Sequence, residues 1–136
     1  MAEVSLAVPG ELVERVRESV LLLYVASAEA LHLALRSGGE GRGGLANVDR
    51  QRARLASLDA LLDRFDQYGS APEREVELSG PADLLHDVLY GALIDAGERL
   101  AADCEAGWRG ERPAGSVERT ARTVIALDGL LRRVRG

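Results

Sequence analysis

Glu3-Val4-Ser5-Leu6-Ala7-Val8-Pro9-Gly10-Glu11-Leu12-Val13 returns, altered, as Glu75-Val76-Glu77-Leu78-Ser79-Gly80-Pro81-Ala82-Asp83-Leu84-Leu85, with Glu, Val, Leu, Pro and Leu recurring at a constant offset of 72. In the first copy Val4, Leu6 and Val8 alternate with Ser5 and Ala7, the period of a half-buried strand. Pro9 and Gly10 stop it, and Glu11 places a carboxylate where a helix begins. Each copy therefore predicts a short strand, a proline break and a long helix.

The first helix is expected to run to about Arg36, with an inner stripe of Leu12, Val16, Val20, Leu23, Ser27, Leu31 and Ala34. Between Ser19 and Ala28 it carries no charge on any face. Its middle should therefore be covered nearly all round, either at the centre of the domain or beneath a partner subunit. Leu21, Leu22 and Val25 give it more apolar surface than one stripe needs, which favours a homodimer.

Ser37-Gly38-Gly39-Glu40-Gly41-Arg42-Gly43-Gly44 is expected to end that helix and form a flexible connection. It lacks the Gly-Lys-Ser/Thr ending of a phosphate-binding loop, since the chain contains no lysine. Asn47 is the expected cap of a second helix reaching about Tyr68, with Val48, Leu55, Leu58, Leu62 and Phe65 inside. Arg50, Arg52, Arg54 and Arg64 mix there with Asp49, Asp59, Asp63 and Asp66, as on a solvated face. Gly69-Ser70-Ala71-Pro72 then leads into the second copy.

There Val76 and Leu78 form the second strand, and Pro81 opens a third helix from about Ala82 to Ala106. Its apolar face is Leu85, Val88, Leu89, Ala92, Leu93, Ala96, Leu100 and Cys104. A loop containing Trp108 follows, and Ser116 is the expected cap of a fourth helix with Val117, Ala121, Val124, Leu127 or Asp128, Leu131 and Val134 on its stripe. Leu58-Asp59-Ala60-Leu61-Leu62 and Leu127-Asp128-Gly129-Leu130-Leu131 extend the correspondence at an offset of 69.

These elements predict an all-α fold: a four-helix bundle from an internally duplicated strand-helix-loop-helix unit, with a short two-stranded antiparallel ribbon. Residues 1–136 would form a single domain with pseudo-repeats 3–68 and 75–135. One strand and two helices cannot hide both apolar faces or pair the strand's backbone, whereas two such units about an approximate dyad can. Exchange of helices with a second chain through the glycine-rich segment is the other arrangement the pattern permits.

Composition narrows the function classes. The chain has 136 residues, 46% hydrophobic and 29% charged, with only 4% aromatic. A Leu, Val and Ala core suits closely packed helices. The net charge of −5 argues against a broad nucleic-acid surface. One cysteine, Cys104, precludes an intrachain disulfide. Met1-Ala2-Glu3 lacks the opening of a signal peptide, and the uncharged run Ser19–Ala28 is half the length of a bilayer crossing. The expected location is cytoplasmic.

No catalytic, cofactor or metal motif stands out. His32 and Cys104 occupy corresponding places and could meet as ligands or as a thiol and imidazole, but the expected roles are a helix-terminal histidine and a buried thiol. Asp59 and Asp128 could be twin carboxylates facing a pocket; the expected roles are a solvated Asp59 and an Asp128 paired with Arg132. His86-Asp87 could be a base and its orienter, but helical neighbours point about 100° apart and do not bond easily. Trp108, beside Arg109 and Arg112, is read equally as a partner anchor and as a lid on the bundle end. Strand, proline, helix is superficially similar to ribbon–helix–helix DNA-binding proteins. The outward strand positions Ser5, Ala7, Glu77 and Ser79, however, carry one acid and no base.

The expected function is thus a small helical interaction or assembly protein, a homodimer or a subunit of a larger complex, contacting its partner through the first helix or Trp108. A small-molecule-binding or enzymatic helical bundle with Asp59 and Asp128 at a pocket is the alternative, and a DNA-binding regulator is the less favoured third reading.

Overall fold

The computed structural model describes residues 3–37, 44–68, 74–111 and 114–135. These form, in order, strand β1 (Glu3–Val8), a 3-10 turn (Gly10–Leu12), helix α1 (Val13–Arg36), α2 (Gly44–Tyr68), β2 (Val76–Pro81), α3 (Ala82–Trp108) and α4 (Ala114–Arg135). The structure is mostly helical, with one antiparallel sheet of two strands. The glycine-rich connection, Gly38 to Gly43, and most of the segment before β2 lie outside the described residues.

In the ribbon Val4 faces Gly80, Leu6 faces Leu78 and Val8 faces Val76. Leu6, Val8, Val76 and Leu78 turn inward and are buried, while Ser5, Ala7, Glu77 and Ser79 are exposed. The outer face is therefore the one the alternation predicts, and it carries only a hydroxyl pair, Ser5 Oγ to Ser79 Oγ at 2.9 Å. Pro9 and Pro81 end the strands because each fixes φ near −60° and lacks an amide to continue the ladder.

Each strand leads into a long helix, and α1 packs along α2 as α3 packs along α4. The pairs join where α1 crosses α3, and β2 lies against α2 while β1 lies against α4. Ser19 Oγ donates to Val88 O at 2.6 Å, and moving toward the start of α1 the partners lie further along α3: Glu18 is 3.8 Å from Arg99, and Arg15 shares a cavity wall with Asp103. The two helices thus run antiparallel. One cluster fills the interior, with Leu12, Val16, Val20, Leu58, Leu85, Val88, Leu89 and Leu127 almost wholly enclosed.

Three local expectations need correction. Asn47 and Ser116 are not caps, because α2 already begins at Gly44 and α4 at Ala114. Leu45 and Ala46 favour the helix enough to extend it upstream. Trp108 is not in a loop but is the last residue of α3, which ends one residue later in a Schellman turn. Glu111 N–H donates to Ala106 O at 2.9 Å and Gly110 N–H to Gly107 O at 3.1 Å, with Gly110 at φ 73°. Of the two arrangements expected for the middle of α1, enclosure at the centre of the domain is the one not found among the described residues, for Leu22 is 64% and Val25 56% exposed.

Candidate functional site

The most conspicuous surface belongs to α1. Its buried residues Val13, Val16, Ser19, Val20, Ser27 and Ala34 fall on one stripe. The opposite face carries Leu22, Val25 and Leu33, the last also 64% exposed. Tyr24, Val25, Ala28, Glu29, His32 and Leu33 line an open apolar cleft of about 490 Å³ on it. Tyr90 and Ile94 of α3 are exposed as well, and Leu22 and Ile94 each lie one helical turn past the crossing at Ser19 and Gly91. Both helices therefore expose apolar side chains near their crossing. By length and composition Gly10–Arg36 could also cross a bilayer, and only 22% of its most apolar window is buried.

A second polar cluster ties three helices together. Arg54 of α2 pairs with Asp87 of α3 at 3.1 Å. Asp87 Oδ1 lies 3.5 Å from His86 Nδ1, so these sequence neighbours do approach, at the limit of bonding distance. Arg135 of α4 donates to His86 Nε2 from 3.2 and 3.3 Å. Since a guanidinium can only donate, Nε2 accepts and Nδ1 holds the proton. Tyr90 stacks on the imidazole, rings 5.9 Å apart and 9° from parallel. Through these contacts His86 links α3 to α4.

A third place is polar and partly enclosed. Asp103 is 6% exposed and Thr120 8%, and Thr120 Oγ1 donates to Asp103 Oδ2 at 2.6 Å, joining α3 to α4. Asp103 stands three residues after Leu100 on the apolar face of α3. The stripe could have been extended through it as readily as through Cys104, and an acid in that register was the available signal.

The residues singled out by sequence are scattered. Asp59 is exposed on α2, and Asp128 pairs with Arg132 at 3.0 Å one helical turn away. Neither aspartate lines any of the cavities described here. His32 is exposed on α1 and Cys104 half-buried on α3, with no hydrogen bond between them. Among the described residues no three His, Cys, Asp or Glu side chains form a metal-binding group. Trp108 is 93% exposed and so is not folded back as a lid.

No protein-family model matches the chain, and neither does any curated protein or solved structure. Its class is set by its own fold and surface: a small helical protein with a two-stranded antiparallel ribbon and an uncovered apolar helix face.

Proposed function

We propose that the chain is an assembly protein: one domain over residues 1–136, a four-helix bundle made from a doubled strand-helix-loop-helix unit, working as a homodimer. The doubling is supported by two contacts between residues 72 apart in sequence, Leu6 opposite Leu78 in the ribbon and Ser19 against Gly91 at the helix crossing. An approximate dyad through both points exchanges β1, α1 and α2 with β2, α3 and α4.

The observation that carries the homodimer is the apolar outer face of α1, with Leu22, Val25 and Leu33 all more than half exposed. Isolated exposed leucines are ordinary, but three large apolar side chains on one face of one helix, beside an open apolar cleft, are the kind of surface that proteins cover. A second copy covers it most economically, since a twofold interface needs only one self-complementary patch. Insertion in a bilayer is disfavoured because Val13, Val16 and Val20 on the same helix are core residues, and a membrane would have to separate them from α2 and α3. A cytoplasmic location accords with this reading.

Asp59 and Asp128 give little support to a ligand pocket, because one is solvated and the other has an arginine partner. Trp108 favours a second contact, with a different protein, at the end of α3. Light scattering on the full chain at micromolar concentration tests the main reading: twice the chain mass is expected, and a monomer at all accessible concentrations would overturn it.

A further inference from the structure

We propose that the second copy docks on α1 antiparallel and in one register: a twofold axis crosses the outer face of α1 at the level of Ser27, and Glu18 of each chain meets Arg36 of the other. This rests on the homodimer reading above and adds its orientation and the charges that select it.

The outer face of α1 is charged at its ends and mainly apolar between them. Glu18 and Arg36 are five turns apart at 3.6 residues per turn, so they lie on one line along the helix, about 27 Å from each other. Leu22, Val25, Glu29, His32 and Leu33 fall near that line, and all are exposed. Ser27 sits halfway along on the buried side, so an axis at its level passes between Val25 and Glu29. Neither end charge is fully engaged within the chain. Arg36 has no ion pair with a described residue, and Glu18 has only Arg99 at 3.8 Å, both half-exposed. Arg17, on the flank, is taken by Asp66 at 3.6 Å.

Charge decides between the two ways of pairing α1 with its copy. In a parallel pair each residue of the line meets its own counterpart, so Glu18, Glu29 and Arg36 all face like charge, which is unfavourable. In the antiparallel pair Glu18 meets the partner's Arg36, the two Glu29 carboxylates stand about one turn apart, and the helix dipoles oppose. The apolar part fits the same register. Leu22, 64% exposed, falls opposite the partner's His32, which lines the open cleft together with Val25, Ala28 and Leu33. Each Leu22 thus enters the other chain's cleft, so one knob and one hole are used twice, as a self-complementary interface requires.

The test compares Glu18→Arg, Arg36→Glu and the double exchange, made in the full chain, by sedimentation equilibrium at low ionic strength. Each single exchange sets like charges at both ends of the interface and should weaken dimerisation about tenfold, while the double exchange restores opposite charges and returns the affinity to within about threefold of the parent. Both residues are exposed, so the helical circular dichroism should not change. Cross-linking gives a second measurement, in a Cys104→Ser background. A short bismaleimide should join Glu18→Cys chains to Arg36→Cys chains in a mixture and leave either variant alone unlinked. A monomeric parent chain overturns the homodimer reading and this one with it. A dimeric parent whose single variants associate normally, are not rescued by the double exchange, or cross-link to themselves overturns this register alone.

Discussion

Ser19 and Gly91 touch where α1 crosses α3: the Ser19 hydroxyl donates to Val88 O at 2.6 Å, and a Cβ built on Gly91 would lie 2.8 Å from Ser19 Oγ. The close approach of the two helices depends on the missing side chain. Gly91→Ala improves helix propensity by up to about 1 kcal/mol, but it forces the buried Ser19 hydroxyl off its acceptor, a loss of roughly 1–3 kcal/mol. The net expectation is destabilisation. In a Ser19→Ala background the clash disappears and the same substitution should stabilise. Urea unfolding of the four proteins of this double-mutant cycle checks the reversal of sign; additive effects would mean the helices do not meet there.

Leu85 and Leu22 separate the two faces of the helical layer. Leu85 is fully enclosed in the core cluster, whereas Leu22 is largely exposed. Leu85→Ala should cost about 2–5 kcal/mol, and Leu22→Ala should change the stability of the monomer by less than about 0.5 kcal/mol. Chemical denaturation at concentrations well below association distinguishes them, and equal effects would contradict this placement of the core.

Glutamate at two positions of the α1 face tests the proposed dimer more severely. Leu22→Glu combined with Val25→Glu places two carboxylates in the interface, so native mass should fall from twice the chain mass to one. The helical circular dichroism should be unchanged. A dimer that persists would move the interface elsewhere, with the exposed Trp108 as the next place to alter.

Thr120 and Asp128 contrast a buried polar contact with an exposed one. Thr120→Val removes a 2.6 Å hydrogen bond to the enclosed Asp103 carboxylate, and the expected loss is about 1.5–3 kcal/mol. Asp128→Asn breaks an exposed pair with Arg132 that spans one turn of α4, and the expected loss is at most about 0.5 kcal/mol. Thermal unfolding of the two variants side by side measures the difference. Raising the salt concentration should narrow whatever small effect Asp128→Asn shows.

Much of the fold was legible because it is written in local pattern. Alternation at Val4, Leu6 and Val8 gave the strand, prolines marked both strand ends, and spacings of three and four gave four helices. Leu12 in the 3-10 turn and Val16, Val20, Ser27 and Ala34 on α1 are buried as that spacing requires, with Leu23 and Leu31 partly so. Leu61, Leu84 and Leu130 were missed as core residues, for a helix that contacts neighbours on two sides buries more than one stripe. The starts of α2 and α4 were placed four and three residues late, because capping side chains mark favourable beginnings, not obligatory ones, whereas α3 begins at Ala82 as its proline indicates.

The chain alone thus determined which segments are strand and helix, and which side of each is apolar, since both follow from the periods of two and 3.6. Only the tertiary structure decided which apolar residues find partners. Leu22 and Val20 are chemically alike and two positions apart, yet one faces solvent and the other the core. Likewise Arg15 and the enclosed Asp103 come from helices distant in sequence, and their shared cavity exists only because α1 and α3 run antiparallel and α4 closes the corner. Hydrophobic patterning fixes the direction of a side chain relative to its own helix, and the crossing of helices fixes what it meets.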